Sequence, residues 1–294
     1  MNKEKKEKEI YTEINQFLKD VFLLREHPHR KQYFNFMRKV SEYAPFNNSL
    51  VFIQNPNCGY YATASVWENK FRRDVKSGSR PMVILVPFGP VSFVYDFKDT
   101  LGEDMDENKF LEWWKEESKP VEEIVIKNTL RNLDDLGVKF NFGDNWKYFR
   151  DVNLRTGGYA SSWGRGDERD HEIVLNPKYK EIDMEGYGVL CHEIAHILLG
   201  HTGEIKMTKK DRDGEIKSIL IAKDRSRLSK EAEEFEAEIV AWLVFNYMGI
   251  EKNSEPYLAS WANSDTISYE INFVEILKIA GKIQEMSKKL GVFR

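Results

Sequence analysis

Apolar residues at the start of the chain recur every three to four positions and then give way to short extended runs. The spacing predicts an amphipathic helix over residues 1–25, with a frayed start rich in Lys and Glu, and a second helix over 31–44. Between residues 48 and 97, aromatic and β-branched runs are interrupted by Gly, Pro and Asn-Pro. This alternation is typical of a small β-rich unit.

The rest of the chain mixes helical and extended patterns. We predict helices over residues 121–136, 183–199 and 229–248, two more after them, strands over 138–142 and 172–176, and a hairpin over 204–222 with its turn at Asp213-Gly214. The sequence therefore predicts an α+β fold. A small β-rich N-terminal domain with flanking helices would precede a mainly helical domain with a short β-sheet.

A strongly acidic segment over residues 101–119 is typical of a solvated connector, and we place the domain boundary there, between domains 1–112 and 113–294. The net charge of −4 hides an asymmetry across this connector. Residues 1–100 carry 16 Lys and Arg against 11 Asp and Glu, whereas residues 101–294 carry 28 against 37. The front is therefore basic enough to approach nucleic-acid phosphates, which the overall charge would argue against.

Several features favour a cytoplasmic protein with no membrane partner. No apolar segment follows the charged start, so no secretory signal is expected. The longest apolar run, residues 239–250, is too short to span a bilayer and contains Asn246. Cys58 and Cys191 have no CxxC spacing, which fits a reducing compartment and two small buried side chains.

The strongest chemical signal is the segment HEIAHILLGH at residues 192–201. His192 and His196 lie one helical turn apart on the same face and can bind one metal ion. Glu193 lies beside that position, where its carboxylate can accept a proton from a water molecule that zinc activates. The surrounding positions are nearly all apolar, so an exposed His/Glu face is a poor alternative, because buried ionisable groups need a partner.

A third ligand is needed, and two regions offer one. His201 lies roughly 140° around the helix from His196, so we predict that it caps the helix end. Glu234 and Glu238 share a face of the predicted helix over 229–248. We predict Glu234 as the ligand and Glu238 as a carboxylate that holds a ligand histidine, with the reverse assignment left open. Glu236 is predicted to point into solvent.

The front half combines cations and aromatic rings that suit single-stranded nucleic acid. Arg72, Arg73 and Lys76 can meet phosphates, and Trp67 can stack on a base, each stack being worth about 1–3 kcal/mol. The alternative is that the aromatic rings form the core of a small domain while the cations are solvated. The residues by themselves favour this alternative, because a small β-domain needs such a core.

Two sets of motifs resemble known families. HEIAHILLGH followed by Glu234-Phe235-Glu236-Ala237 resembles the zincin-like metallopeptidases of the ImmA/IrrE group. A further set is similar to ArdC-type antirestriction proteins, and it comprises FNNSLVFIQNPN at 46–57, RRDVKSG at 72–78, VILVPF at 83–88, VSFVYDFKDT at 91–100, EAEEFEAEIVAWLVFNYMGI at 231–250 and YLASW at 257–261. This likeness extends over most of the chain from about residue 30.

The resemblance implies zinc held by His192, His196 and Glu234, with Glu193 as general base. It also implies an N-terminal domain that binds single-stranded DNA, for which Trp67, Arg72, Arg73 and Lys76 are the candidate contacts.

Two hypotheses follow from the motifs and the resemblance. The first is a zinc metallopeptidase linked to a single-stranded-DNA-binding domain, acting on a protein substrate that could itself be bound to DNA, in antirestriction or in mobile-element defence or regulation. The second is a non-proteolytic DNA-binding antirestriction protein whose zinc site is structural or vestigial. The open fourth position favours catalysis, since structural zinc usually has four protein ligands.

Overall fold

A computed structural model describes residues 11–12, 14–19, 30–40, 43–86, 91–102, 121–143, 157–164, 170–210, 215–248 and 270–293. The chain divides into two compact units. Unit 1 comprises residues 1–118 with 246–252, and unit 2 comprises residues 119–245 with 253–294. The predicted boundary after residue 112 lies outside the described residues. Helices and small sheets occur in both units, so the predicted α+β class is confirmed.

Unit 1 contains short helices and short strands. Residues 14–19 are helical, and the elements that follow are α1 Arg30–Lys39, α2 Pro45–Gln54, β1 Tyr61–Ala62, α3 Ala64–Phe71, β2 Arg73–Val75, β3 Met82–Ile84, β4 Ser92–Asp96 and β5 Thr100–Gly102. The strands form an antiparallel sheet in the order β1-β4-β3 and a separate antiparallel pair of β2 and β5.

The segment expected to be β-rich contains two helices, α2 and α3, beside its strands. Pro45 stands in the first turn of α2, where the missing N–H costs no hydrogen bond. Thr63 caps α3, since its hydroxyl accepts a hydrogen bond from the backbone N–H of Val66. Short apolar runs do not distinguish a buried helix from a buried strand by periodicity, which explains the difference.

Aromatic side chains form much of the core of unit 1. Five of its rings are fully buried, namely Tyr33, Phe34, Phe52, Tyr61 and Trp67. The hydroxyl groups among them are satisfied internally, since Tyr33 is hydrogen-bonded to Ser49 over 2.8 Å and Tyr61 donates to Asn48. The rings therefore supply the large apolar area that so small a unit needs to fold.

Unit 2 is mainly helical around one small sheet. Its elements are α4 Glu123–Asp135, β6 Val138–Phe142, β7 Gly158–Trp163, β8 Asp170–Leu175, α5 Met184–Leu198, β9 Ile205–Lys210, β10 Ile216–Ala222, α6 Lys230–Tyr247 and α7 Phe273–Lys288. The sheet order is β6-β8-β7, with β6 parallel and β7 antiparallel to β8. Strands β9 and β10 form the predicted hairpin, although Asp213-Gly214 lies outside the described residues.

Helix α5 packs closely on strand β7. A Cβ atom at Gly157 would lie 2.7 Å from Val189 Cγ2, and one at Gly158 would lie 3.2 Å from Val189 Cγ1. The two glycines therefore let the start of the strand approach the helix. The contact holds β7 close to α5, which is the helix that carries the two histidines.

Local hydrogen bonds define the ends of helices α5 and α6. Asp183 caps α5 by accepting from the N–H of Gly186 over 2.8 Å, and Gly200 ends the helix with a φ of +80°. Ser229 precedes α6, and its hydroxyl accepts from the N–H of Ala232 over 3.3 Å. Both helices therefore begin and end close to where the sequence predicts them.

The remaining predictions divide by what the structure describes. Cys58 and Cys191 are both buried, as expected. Of the two predicted C-terminal helices, α7 is present and the other falls outside the described residues. Among the described helices, none combines the length and the apolar character needed to cross a bilayer.

Candidate metal centre

Helices α5 and α6 bring three potential metal ligands together. The Nε2 atoms of His192 and His196 are 3.2 Å apart, and Oε2 of Glu234 lies 3.3 Å from the first and 3.8 Å from the second. Ligand bonds of about 2.1 Å in a tetrahedral site leave about 3.4 Å between donors. Within the described residues, this is the group whose donor atoms lie close enough to hold one divalent ion.

Hydrogen bonds among the three side chains shift their pKa values. Burial lowers the pKa of His192, but hydrogen bonds to Glu234 and Glu238 outweigh it and raise the pKa to about 9. Burial would raise the pKa of Glu234, yet its hydrogen bonds to His192 and His196 hold it well below the usual range. Glu234 is therefore ionised and faces the Nε2 atoms of His192 and His196. A metal cation can take the place of the proton that lies between the carboxylate and these nitrogens.

Glu193 is the adjacent carboxylate with the properties of a proton acceptor. Its side chain is buried, with 6% of the residue exposed, and burial raises its pKa to about 7. The backbone of Ala160 in strand β7 is hydrogen-bonded to the carboxylate. A carboxylate with a pKa near 7 can both take up and release a proton at neutral pH, as a general base must.

Glu238 lies behind His192 as a supporting carboxylate. Its Oε2 is 3.4 Å from Nδ1 of His192, on the opposite side of the ring from Glu234. Of the two assignments that the sequence leaves open, the geometry matches the one with Glu234 in the donor triangle and Glu238 outside it. Such a contact orients a ligand imidazole and fixes which nitrogen carries the proton.

Two residues that the sequence places elsewhere belong to this centre. His201 was expected to cap the helix and Glu236 to point into solvent, but both are buried, with 6% and 0% of the residue exposed. Nδ1 of His201 lies 3.0 Å from Nδ1 of His196, and Nε2 of His201 lies 3.0 Å from Oε2 of Glu236. The angle of 140° assumed that the helix continues, whereas Gly200 turns the chain back.

Only the backbone of His201 serves the helix end, donating to the carbonyl of His196 over 2.9 Å. The sequence signal that could have indicated its burial is a polar side chain directly after an apolar helix.

Arg225 neutralises the buried Glu236. Its Nη1 and Nη2 atoms each donate to one carboxylate oxygen over 2.7 Å. The backbone N–H of Asn272 also donates, over 2.8 Å. Burial would raise the pKa of Glu236, but the hydrogen bonds to His201 and Arg225 outweigh it and lower the pKa, while burial lowers the pKa of His201. The pair is therefore a carboxylate and a neutral imidazole, satisfied without solvent.

Strand β7 is an outer strand of the described sheet and lies beside the centre. It pairs with β8 in the order β6-β8-β7, with Ala160 opposite Ile173. In the sequence, residues 157–160 followed by 172–176 fit an edge strand beside a protease cleft and an ordinary hairpin about equally well. The antiparallel pairing of β7 with β8 is present, and β7 also contacts Glu193 through Ala160. A role of β7 as the edge of a cleft stays a prediction.

Two of the four predicted DNA contacts in unit 1 are inaccessible. Trp67 is 0% exposed, donates from Nε1 to the carbonyl of Tyr95 over 3.0 Å and packs against Phe71 and Phe97. Its predicted stacking on a base is therefore wrong, because the ring is part of the core.

Arg73 is also misassigned as a phosphate contact. It is 8% exposed, donates from Nε to Thr100 Oγ1 over 2.8 Å and lies 4.3 Å over the Phe97 ring. Arg73 therefore joins β2 to β5 from within.

Arg72 and Lys76 lie at the surface of unit 1. Arg72 is exposed at the end of α3 with a φ of +50°, and Lys76 is half-buried with its ammonium group donating to the carbonyl of Lys98. The alternation of buried and exposed positions after α3 thus separates Arg73 from its two basic neighbours. Contact of Arg72 and Lys76 with DNA stays a prediction.

A cavity of about 890 Å³ in unit 1 was not singled out by any motif. Its lining includes Phe36, Tyr60, Phe97, Lys39 and Lys98. The Lys39 ammonium group lies 4.6 Å over the Tyr60 ring. Because its lining comes from α1, the loop before β1 and the segment after β4, residues far apart in sequence assemble it, which is why the sequence does not reveal it.

Comparison with known proteins does not identify the family of this chain. No protein-family model matches the chain, and no curated protein matches it. Among solved structures, the chain is similar to a crystal structure of the antirestriction protein ArdC from plasmid R388 in a Mn(II)-bound form. The similarity covers 90% of this chain and 100% of that chain at 13% identity, with a TM-score of 0.37. A TM-score this low does not establish a common fold, so function must be argued from the residues of this chain.

Proposed function

We propose that unit 2 is a zinc-dependent metallopeptidase. The observation that carries the proposal is the donor triangle of His192, His196 and Glu234 with the buried carboxylate of Glu193 beside it. Two imidazoles and one carboxylate are the ligand set of many catalytic zinc sites, which keep a fourth position open. Glu238 and His201, which contact the outer nitrogens of the two histidines, complete the fit to a metal ion.

The chain's own residues then have defined tasks. When bound, zinc would polarise a carbonyl group and make water a stronger nucleophile. Glu193 would accept the proton of the attacking water and deliver it to the nitrogen of the leaving amine. The hydrogen bond from the backbone of Ala160 would hold the carboxylate in place between these two steps.

The proposed substrate is a polypeptide in extended form. An outer strand can bind an extended peptide through main-chain hydrogen bonds, and β7 lies at the site through its contact with Glu193. We therefore expect cleavage of unfolded or looped segments rather than of helical ones.

A peptide library analysed by mass spectrometry tests the proposal. The zinc-loaded wild-type chain should cleave peptides, and Glu193→Gln should reduce the rate about 10²–10⁴-fold while retaining zinc. Glu185→Gln is the matched control, because Glu185 is an exposed residue in the first turn of the same helix. Identical cleavage by the wild type and Glu193→Gln would refute the mechanism.

The proposal includes single-stranded DNA as the partner of unit 1, in an antirestriction or mobile-element role. Support comes from the basic balance of residues 1–100 and the exposed Arg72 and Arg80. Removing one cation that binds a phosphate should reduce the slope of log affinity against log salt by about 0.7, so Arg72→Ala should flatten that slope. Binding to single-stranded DNA that does not depend on salt would contradict this part.

Restriction assays separate the peptidase from the non-proteolytic alternative. If protection against restriction required proteolysis, His192→Ala would abolish it. Protection that survives this change in a folded chain would instead favour a DNA-binding protein whose metal site is structural.

A further inference from the structure

We infer that His201 and Glu236 fix the tautomer of His196, so that the Nε2 atom of His196 presents its lone pair to the metal position. The inference rests on the proposed metal centre and adds two positioning residues to it. The three side chains form one line of hydrogen bonds, from Glu236 through His201 to His196, and we call this line the relay.

The direction of the relay follows from Glu236. A carboxylate only accepts hydrogen bonds, and the bidentate contact with Arg225 keeps this one ionised. The proton between Glu236 and His201 therefore belongs to Nε2 of His201. A neutral imidazole carries one proton, so Nδ1 of His201 is an acceptor.

The same rule assigns the proton on His196. Its Nδ1 lies 3.0 Å from the acceptor Nδ1 of His201, so it must be the donor of that bond. The proton of His196 is then on Nδ1 and the lone pair is on Nε2, which is the atom that faces His192 and Glu234. Only this assignment satisfies every nitrogen in the relay and leaves a ligand atom free.

Packing keeps the relay in place. Glu236 is 0% exposed, and its two oxygens accept from His201, from both arms of Arg225 and from the N–H of Asn272. Arg225 is itself tied to the end of α5, since its N–H donates to the carbonyl of Gly200 over 2.9 Å. Rotation of His201 would break a bond at each ring nitrogen in a site that water does not reach.

The two ligand histidines are thus oriented differently by the same helix. Glu238 contacts Nδ1 of His192 directly, whereas Glu236 reaches Nδ1 of His196 through His201. Helix α6 therefore supplies one ligand, Glu234, and the origin of both orienting contacts. This arrangement also explains why a charged residue is buried at position 236.

Zinc affinity, measured by competition with a chromogenic chelator, tests the relay. His201→Ala should weaken binding about 10–100-fold, the usual effect of removing a group behind a metal ligand. His201→Gln should recover most of the loss, since its amide can accept from His196 and donate to Glu236. Asn132→Ala is the matched control, because this buried amide bonds to Met286 and Lys289 in the same unit, away from the centre. It should reduce stability but leave zinc affinity unchanged.

The proton assignment is tested separately by long-range proton–nitrogen NMR spectra of the metal-free chain. The spectrum should show His196 protonated on Nδ1 in the wild type. An Nε2 proton on His196, or wild-type zinc affinity in His201→Ala, would overturn the inference while the peptidase proposal stands. If the wild-type chain bound no zinc, the proposed function would fail, and the NMR spectrum would still decide the relay.

Discussion

The carboxylate of Glu234 lies 3.3 Å from Nε2 of His192, although 42 positions separate the two residues in the chain. The contact joins helix α6 to helix α5. It is formed at the point where the sequence places a metal-binding motif on one helix and a cluster of glutamates on the other. Changes at this contact and at the residues around it should therefore alter metal binding in distinct ways.

Replacing the two candidate carboxylates should separate the ligand from its support. Glu234→Ala removes a donor and should reduce zinc affinity by more than about 100-fold, whereas Glu238→Ala should reduce it about 10–100-fold. Glu231→Ala, at an exposed position in the first turn of the same helix, should change nothing. Metal content and chelator competition measure all three. A larger loss for Glu238→Ala would assign the ligand to Glu238.

Zinc affinity should increase with pH. The raised pKa of His192, about 9, means that the metal-free centre holds a proton on this ring at neutral pH. The incoming ion must displace this proton, so apparent affinity should rise about tenfold per pH unit from pH 7 to pH 9 and level off above. Titrations buffered at four pH values check the slope. An affinity that is flat over this range would show that His192 is neutral before the metal binds.

Gly200→Ala should damage both stability and the metal centre. A Cβ atom there would lie 1.8 Å from the carbonyl oxygen of Lys223, and the φ of +80° is unfavourable for alanine. We expect a loss of about 2–4 kcal/mol in the free energy of unfolding, together with weaker zinc binding, because Arg225 would be displaced.

Comparing Gly137→Ala with Gly200→Ala separates the effect of backbone strain from the effect of the clash at Gly200. Gly137 has a φ of +72°, but a Cβ atom there would meet nothing within 4 Å. Urea unfolding should therefore show a loss of only about 1 kcal/mol for this variant. Equal losses for the two variants would mean that the contact with Lys223 is not what matters.

Trp67 should behave as a core residue. Trp67→Ala leaves a cavity and should destabilise unit 1 by about 3–5 kcal/mol, whereas Trp67→Phe should cost less. The folded Trp67→Phe chain should bind single-stranded DNA as the wild type does. Arg72→Ala should show the opposite pattern, with unchanged stability and weaker DNA binding. Fluorescence anisotropy and thermal unfolding measure the two effects. Loss of DNA binding in folded Trp67→Phe would restore the stacking role.

The sequence predicted unit 2 better than unit 1 for a physical reason. Helices α5 and α6 are long, have clear caps and carry motifs whose spacing fixes which side chains share a face. His192 and His196 could therefore be paired from the sequence, and the third candidate ligand could be narrowed to Glu234 or Glu238. The strands and helices of unit 1 span two to ten residues each. Over such lengths, a run such as Asn48–Phe52 fits either a helix or a strand, and long-range packing decides.

The burial of polar residues also could not be predicted from the sequence. Arg73, His201 and Glu236 all look like surface residues in the sequence, and each is buried because a partner distant in the chain satisfies it. Thr100 accepts from Arg73, and Arg225 pairs with Glu236. Composition and periodicity report the average environment of a residue type, whereas these partners come from the tertiary fold.

The bond from the N–H of Arg225 to the carbonyl of Gly200 closes a loop that contains β9 and β10. The two ends of this loop are fixed together at the end of α5, and the strands pair with each other along its length. Extra residues inserted between Lys210 and Ile216 would therefore leave the spacing between the histidine helix and the glutamate helix unchanged. The length of the β9–β10 hairpin can therefore change, in evolution or by protein engineering, without moving the candidate metal ligands.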